Sequence, residues 1–169
     1  MERLIINDFN LQDYEINYRL VKVRALLFHE DKILVSKYGT ATLLPGGKVD
    51  NGESIQDGLI RELKEETGIK YDINELNPLF LLQYYQKNYP SRNNYALNRL
   101  IETYFYYGNF KGINPNEMKF SQNEIDGNFH LELLTYNELQ RRITETCIDP
   151  RDVFFNREMD TAVKVYLKK

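Results

Sequence analysis

The sequence predicts an α/β (α+β) fold, in which helices pack on the faces of a mixed β-sheet. Three observations carry that expectation. Runs rich in β-branched and aromatic residues recur along the chain, in the manner of strands. The first two are separated by the short turn "HEDK", which suits a hairpin and is too short for a helical crossover. Helical segments interrupt and then follow the strands, so crossovers occur beside the hairpins.

The elements follow in order. "RLVKVRALLF" (19–28) reads as a strand and "ILVSKY" (33–38) as its hairpin partner. "ATLLPGGKV" holds a short strand running into Pro45-Gly46-Gly47, a turn or a special loop. Residues 54–67 read as a helix, with Ser54 and Asp57 resembling a capping box and Gly68 standing where glycine ends helices. "LFLLQYYQ" and "RLIETYFYYGNF" are strand-like, and the polar "KNYPSRNNYALN" between them reads as a long loop. Residues 128–134 form a further strand, Thr135 precedes the helix "YNELQRRITE", and a last helix covers 156–167. No repeat, low-complexity tract or linker divides the 169 residues, so one domain over 1–169 is expected.

Composition narrows the function classes. A net charge of −3 gives no broad electrostatic case for nucleic acid or an anionic membrane as partner. Thirteen tyrosines and nine phenylalanines are numerous, but aromatic residues usually fill cores. The single cysteine, Cys147, excludes an internal disulfide and is expected to be a small buried apolar residue. No apolar run approaches the ~20 residues of a membrane span, and the first residues lack the basic start of a secretory signal. A cytoplasmic protein is the expectation.

The dense charge of the helix at 54–67 is the chemical signal. Glu62, Glu65 and Glu66 stand at i, i+3 and i+4, so their carboxylates share one face beside the apolar stripe of Leu59, Ile60 and Leu63. Like charges so placed cost only a few tenths of a kcal/mol per pair, which a solvated face tolerates. A hard divalent cation relieves the same repulsion, and Mg²⁺ takes carboxylates together with substrate phosphates. The preceding glycine-rich loop lets backbone come close and offer carbonyls. Arg61 has Glu53 and Asp57 as candidate partners, and a Glu53–Arg61 pair would clamp loop to helix. Gly58, inside the helix, would be explained by close approach of other backbone, with a neutral accident as the alternative.

From Gly47 the chain reads G-x5-E-x7-R-E-L-x-E-E-x-G-I. Gly47, Glu53, Arg61, Glu62, Leu63, Glu65, Glu66, Gly68 and Ile69 fill every defined position of the Nudix hydrolase signature. The chain therefore resembles that family, specifically over 47–69 and more loosely over 20–139. The resemblance implies a Nudix-like α/β/α sandwich and hydrolysis of a nucleoside diphosphate linked to another moiety, with Mg²⁺ or Mn²⁺ as cofactor. By the match, Glu62, Glu65 and Glu66 are the metal ligands, joined by a carbonyl near Gly47, while Glu53 and Arg61 support the loop and helix. Many members add a later glutamate as ligand or general base. Glu124, in "SQNEIDGNFHLELL" just before the last sheet strand, is the choice here and Glu117 the reserve, with a plain exposed loop acid as the alternative; the chain departs from the pattern in having Phe129-His130 where such sequences often carry tryptophan.

The substrate is less sharply marked. A nucleoside triphosphate or a dinucleoside polyphosphate leads as the small-molecule nucleotide partner. Tyr84 and Tyr85 lie where dinucleoside polyphosphate hydrolases often carry a tyrosine, although in a chain with thirteen tyrosines core packing is the readier explanation of both. Lys87, Tyr89, Arg92 and Tyr95 lie on the polar loop, where they would close over phosphates and stack a base. No proline stands at the spacing of ADP-ribose hydrolases. An ADP-ribose or nucleotide-sugar pyrophosphatase, an RNA-end pyrophosphohydrolase and a non-catalytic nucleotide sensor stay open beside the leading reading. Family members are often dimers, which makes a homodimer the partner to test for.

Overall fold

A computed structural model describes residues 1–91, 96–145 and 147–169. Its central strand is β2 (Tyr18–His29), buried on both faces. Val23, Ala25 and Leu27 point to one side and Leu26 to the other, and strands covered on both sides read as near-continuous apolar runs. β7 (Ala96–Asn109) runs parallel along one edge of β2, and β6 (Asn77–Pro90) pairs antiparallel with β7. β1 (Glu2–Ile6) adds a parallel edge strand to β6. The sequence reading placed no strand there, because five residues offer too short a pattern to identify.

The other edge of β2 is shared. β3 (Lys32–Tyr38) pairs with it only at the hairpin end, while β5 (Gly46–Lys48) pairs with Lys22–Arg24. Between these attachments β3 leaves β2 and continues an antiparallel layer with β4 (Ala41–Leu43) and β8 (His130–Thr135). The functional cleft opens along this split. Pro45-Gly46-Gly47 is thus partly a strand, narrower in role than the turn or loop expected.

Helix α1 (Ile55–Thr67) covers one face of the sheet with Leu59 and Leu63. Ser54 caps it by accepting from the Asp57 amide at 3.0 Å, and Gly68 ends it in the left-handed region. α3 (Tyr136–Glu145) and α4 (Asp152–Leu167) cover the opposite face with Leu139, Ile143, Met159, Ala162 and Val163. The result is the α/β/α layering expected. A short helix, α2 (Gln122–Asp126), precedes β8 and was not foreseen, since five residues carry no helical period.

Four expectations need correction. The segment 87–98 is shorter as a loop than its polarity suggested: β6 runs to Pro90 and β7 begins at Ala96, with a register shift between Gln86 and Tyr89. Polar side chains on an exposed hairpin end do not stop the ladder. The final helix starts at Asp152, where that residue's carboxylate accepts from the Ile148 and Asp149 amides at 3.2 and 2.9 Å. Cys147 is exposed, because it lies in the connection between α3 and α4 and belongs to no apolar face. Gly58 makes room for a side chain rather than for backbone: a Cβ there would stand 3.0 Å from the Glu53 carboxylate. Arg92 and Tyr95 lie outside the described residues.

Candidate active site

The glycine pair is required by the strand split. Gly46 has φ +124°, and a Cβ on it would meet the Val23 carbonyl oxygen at 2.2 Å, so only glycine fits where β5 lies on β2. A Cβ on Gly47 would sit 2.5 Å from the Glu62 carboxylate. The loop backbone and the acidic face of α1 are thus pressed together with nothing between them.

Arg61 organises the loop. It grips Glu53 through two bonds of 2.9 Å, donates to the Lys48 carbonyl at 3.0 Å, and reaches Glu62 at 2.9 Å and Glu65 at 3.3 Å. Asp57, the other partner suggested by the sequence, is not engaged, since its carboxylate accepts from the Ser54 hydroxyl at 2.7 Å. The Arg61 hydrogen bonds hold the Glu53 carboxyl below its ordinary value.

Glu66 behaves differently. It is 3 % exposed and accepts from the Gly46 amide at 3.0 Å. Burial pushes its carboxyl up to about 8, against the pull of Arg24 and the Gly46 amide, and the charges of Glu62 and Glu124 push the same way. Glu62 is also raised, chiefly by burial, with Arg61 opposing. Arg24 is itself buried and donates to the carbonyls of Leu44, at 2.8 Å, and Gly46.

These groups line an open mouth of about 270 Å³ that also includes Gly46, Gly47, Tyr38, Phe129 and Glu124. Glu124 is presented by α2, where its carboxylate accepts from the Ser121 amide at 2.6 Å and hydroxyl at 2.7 Å. Glu117 is exposed and does not line the mouth. Among the described residues no three acidic, histidine or cysteine side chains yet stand in a group that would hold an ion. Arg61 draws Glu62 and Glu65 to itself while Glu66 turns to an amide.

The donor set nevertheless fits a hard divalent cation. It is all oxygen, Glu62 and Glu66 open onto the mouth while Glu65 lies outside its lining on Arg61, and Glu66 is buried with no cationic side chain bonded to it among the described residues. Glu62, Glu65 and Glu66, with backbone at Gly47, are the residues that would hold it.

Of the residues proposed for substrate, Tyr89 lines a cavity beside the mouth, while Tyr84, Tyr85 and Lys87 lie elsewhere. Tyr84 packs in the core beneath α4 with the Arg157 guanidinium 5.6 Å from its ring. Tyr85 is half-buried and Lys87 reaches over Phe9; none of the three lines the mouth. Sequence reasoning passed over Arg24 and Tyr38. A signal was present for Arg24, a charged residue between Val23 and Ala25 in a run of apolar residues, but Lys22 two residues earlier carries the same signal.

Comparison with known proteins agrees with this geometry. The NUDIX domain family matches residues 19–153. An uncharacterized Nudix hydrolase, YvcI, from Bacillus subtilis (strain 168) is 63% identical over 30 residues, a stretch covering 18% of each chain. A NUDIX hydrolase from Nitrosomonas europaea superposes with a TM-score of 0.59 at 17% identity, covering 89% of both chains. A MutT protein from Methanosarcina mazei Go1 gives a TM-score of 0.52 at 20% identity, covering 85% of this chain and 94% of the other. At such identities the structural likeness speaks for the fold.

Proposed function

The chain belongs to the Nudix hydrolase family, and from that premise we propose that it is a metal-dependent pyrophosphohydrolase. It uses water to cleave the pyrophosphate bond of a nucleoside diphosphate linked to another moiety, as in a nucleoside triphosphate or a dinucleoside polyphosphate. Nudix hydrolases generally use divalent metals such as Mg²⁺ or Mn²⁺. One observation supports the reading above the rest: Glu66 is a buried carboxylate turned toward Gly46 and flanked by Glu62, whose own carboxylate occupies the space a side chain at Gly47 would take.

Each residue then has a task. A divalent cation at this site supplies neutralisation of phosphate oxygens and a more acidic bound water. Glu62, Glu65 and Glu66 hold that charge at the mouth. Arg61 keeps α1 and the 46–53 loop in register through Glu53, so the carboxylates and the Gly47 backbone stay together. Glu124 faces the same space and accepts the proton of the attacking water. Arg24, buried behind Gly46, balances the acidic cluster and fixes the loop carbonyls. Positioning and charge stabilisation dominate such phosphoryl chemistry, so little else is asked of the protein.

The test is a panel of nucleoside triphosphates, dinucleoside polyphosphates, ADP-ribose and nucleotide sugars, assayed with Mg²⁺ and with Mn²⁺. Metal-dependent release of two phosphate-bearing or phosphate products, lost in Glu66→Gln, is the expected result. Turnover that persists undiminished in the presence of EDTA overturns the metal dependence.

A further inference from the structure

A second cavity of about 470 Å³ opens beside the acidic mouth. The two share Tyr38 and Leu43, so one small molecule can reach from the carboxylates into it. Its volume lies in the range of pockets that enclose small ligands. The rings of Tyr18, Tyr38, Tyr89 and Phe155 line it.

The cationic residues in its lining differ. Arg151 is fully engaged by Asp149, with bonds of 2.7 and 2.5 Å. Arg99 is only 9 % exposed, and among the described residues no carboxylate lies within ion-pair reach of it. Its Nε donates to the Gln86 amide oxygen at 3.0 Å, and its guanidinium carbon lies 3.4 Å from the Tyr89 ring centroid. Burying a charge without a paired anion is costly. Here Gln86, the Tyr89 side chain and the Tyr18 ring 5.8 Å away offset part of the cost, no carboxylate is bonded to Arg99 among the described residues, and Arg99 is one of the residues that line the cavity.

A guanidinium offers donors and no acceptor. Aromatic walls select a planar ring, and a forked donor selects a ring edge with two adjacent acceptors. Guanine presents such an edge through O6 and N7, whereas adenine places an amino donor beside its N7. A phosphate would satisfy the charge but leave four aromatic rings without a purpose.

We propose that this cavity is the base subsite and that Arg99 is its specificity-determining residue, favouring guanine over adenine. The proposal rests on the reading of the mouth as the phosphate site. Tyr18 and Phe155 then stack the base, Tyr89 holds the guanidinium flat, and the polyphosphate runs past Tyr38 to Glu62 and Glu66.

Two measurements test it. The first compares GMP with AMP binding to the metal-free protein by calorimetry. The second compares kcat/KM for GTP and ATP, and for the matching dinucleoside tetraphosphates, in the wild type and in Arg99→Met. The wild type is expected to favour guanine at least ~10-fold, the discrimination of one good bidentate pair. Arg99→Met is expected to bring the guanine substrates down to the adenine level, while Mn²⁺ affinity measured by electron paramagnetic resonance stays unchanged. Should that variant fail to fold, Arg99→Lys keeps the charge without the fork and is expected to lose most of the preference. Equal binding of the two purines by the wild type overturns the proposal, as does an equal loss for both in a folded Arg99 variant. Selective GMP binding without hydrolysis of any substrate would remove the proposed enzymatic function and leave the base subsite standing.

Discussion

The acidic mouth and the aromatic cavity lie side by side, divided by little more than Tyr38 and Leu43, yet they are built in opposite ways. The mouth takes Gly46, Gly47, Glu62 and Glu66 from one continuous stretch, the 46–66 loop and helix, and sets Arg24, Tyr38 and Glu124 around them, with carboxylates outnumbering the cations that face them. The cavity draws Tyr18, Tyr38, Tyr89, Arg99 and Phe155 from separate elements, and its lining buries one charge of each sign, Arg99 and the Asp152 that caps α4. Burial acts on both from opposite directions. It lifts the Glu66 carboxyl up to about 8, and it lowers the Arg99 guanidinium from its ordinary value; the Lys22 ammonium, outside the cavity lining but 5.6 Å from the Phe155 ring, is brought down to about 8 despite help from Glu158. The chemistry that must hold a cation is written into spacing along a helix, while the chemistry that must read a substrate is written into strand register.

The comparison breaks most readily at Glu66. Glu66→Gln should lower kcat about a thousand-fold, as several kcal/mol of charge stabilisation are lost, while leaving the fold unchanged by circular dichroism. Full turnover in that variant would remove Glu66 from the mechanism. Glu124→Gln should cost ~100-fold in kcat with little change in KM, the range for a lost general base. An unaltered rate would take Glu124 out of that role. Arg61→Lys keeps the charge but cannot grip Glu53, Glu62 and the Lys48 carbonyl together, so Mn²⁺ affinity should fall ~10–100-fold. Gly46→Ala should lower stability by about 1–3 kcal/mol in chemical denaturation, since its backbone conformation and the Val23 carbonyl both reject a side chain.

The smallest effect is the dependence of stability on pH. Glu66 moves from an ordinary 4.5 to about 8 on folding. Its contribution to the metal-free protein is fully present below pH 4.5 and is lost as pH rises through 8. Lys22 runs the other way: its contribution is present above pH 10.5 and is lost as pH falls through 8. The metal-free melting temperature should therefore decline between pH 5 and 8, and saturating Mg²⁺ should raise it more at pH 8 than at pH 6. A larger rise at pH 6 would contradict the assignment of Glu66.

The two regions also differ in how far the sequence discloses them. The nine signature positions, the Ser54 cap and the Gly68 stop mark α1 and its loop almost to the residue, because capping and helical periodicity are local. The apolar and β-branched run of β2 likewise marks a strand, although its cover on both faces is seen only in the fold. Arg99 and Tyr18 carry no such mark. They become neighbours because β7 and β2 pair in parallel with Tyr18 opposite Arg99, a register set by two strands some eighty residues apart. Tyr84 misled for the related reason that alternate residues of β6 face different surroundings: its ring enters the core, and Tyr89, beyond the register shift, reaches the cavity. β1 and α2 were too short to leave a periodic trace, and the exposure of Cys147 depends on a connection between helices that no local pattern describes.

The central claim is that the carboxylates of α1 leave Arg61 and the Gly46 amide to share a cation. A crystal grown with Mn²⁺ and a non-hydrolysable nucleotide tests it directly through the anomalous signal. The account predicts a Mn²⁺ peak bonded to Glu66 and at least one of Glu62 and Glu65, with the phosphates beside it. A nucleotide-bound structure in which Glu62 and Glu65 remain on Arg61, and the metal peak lies away from α1, would contradict it.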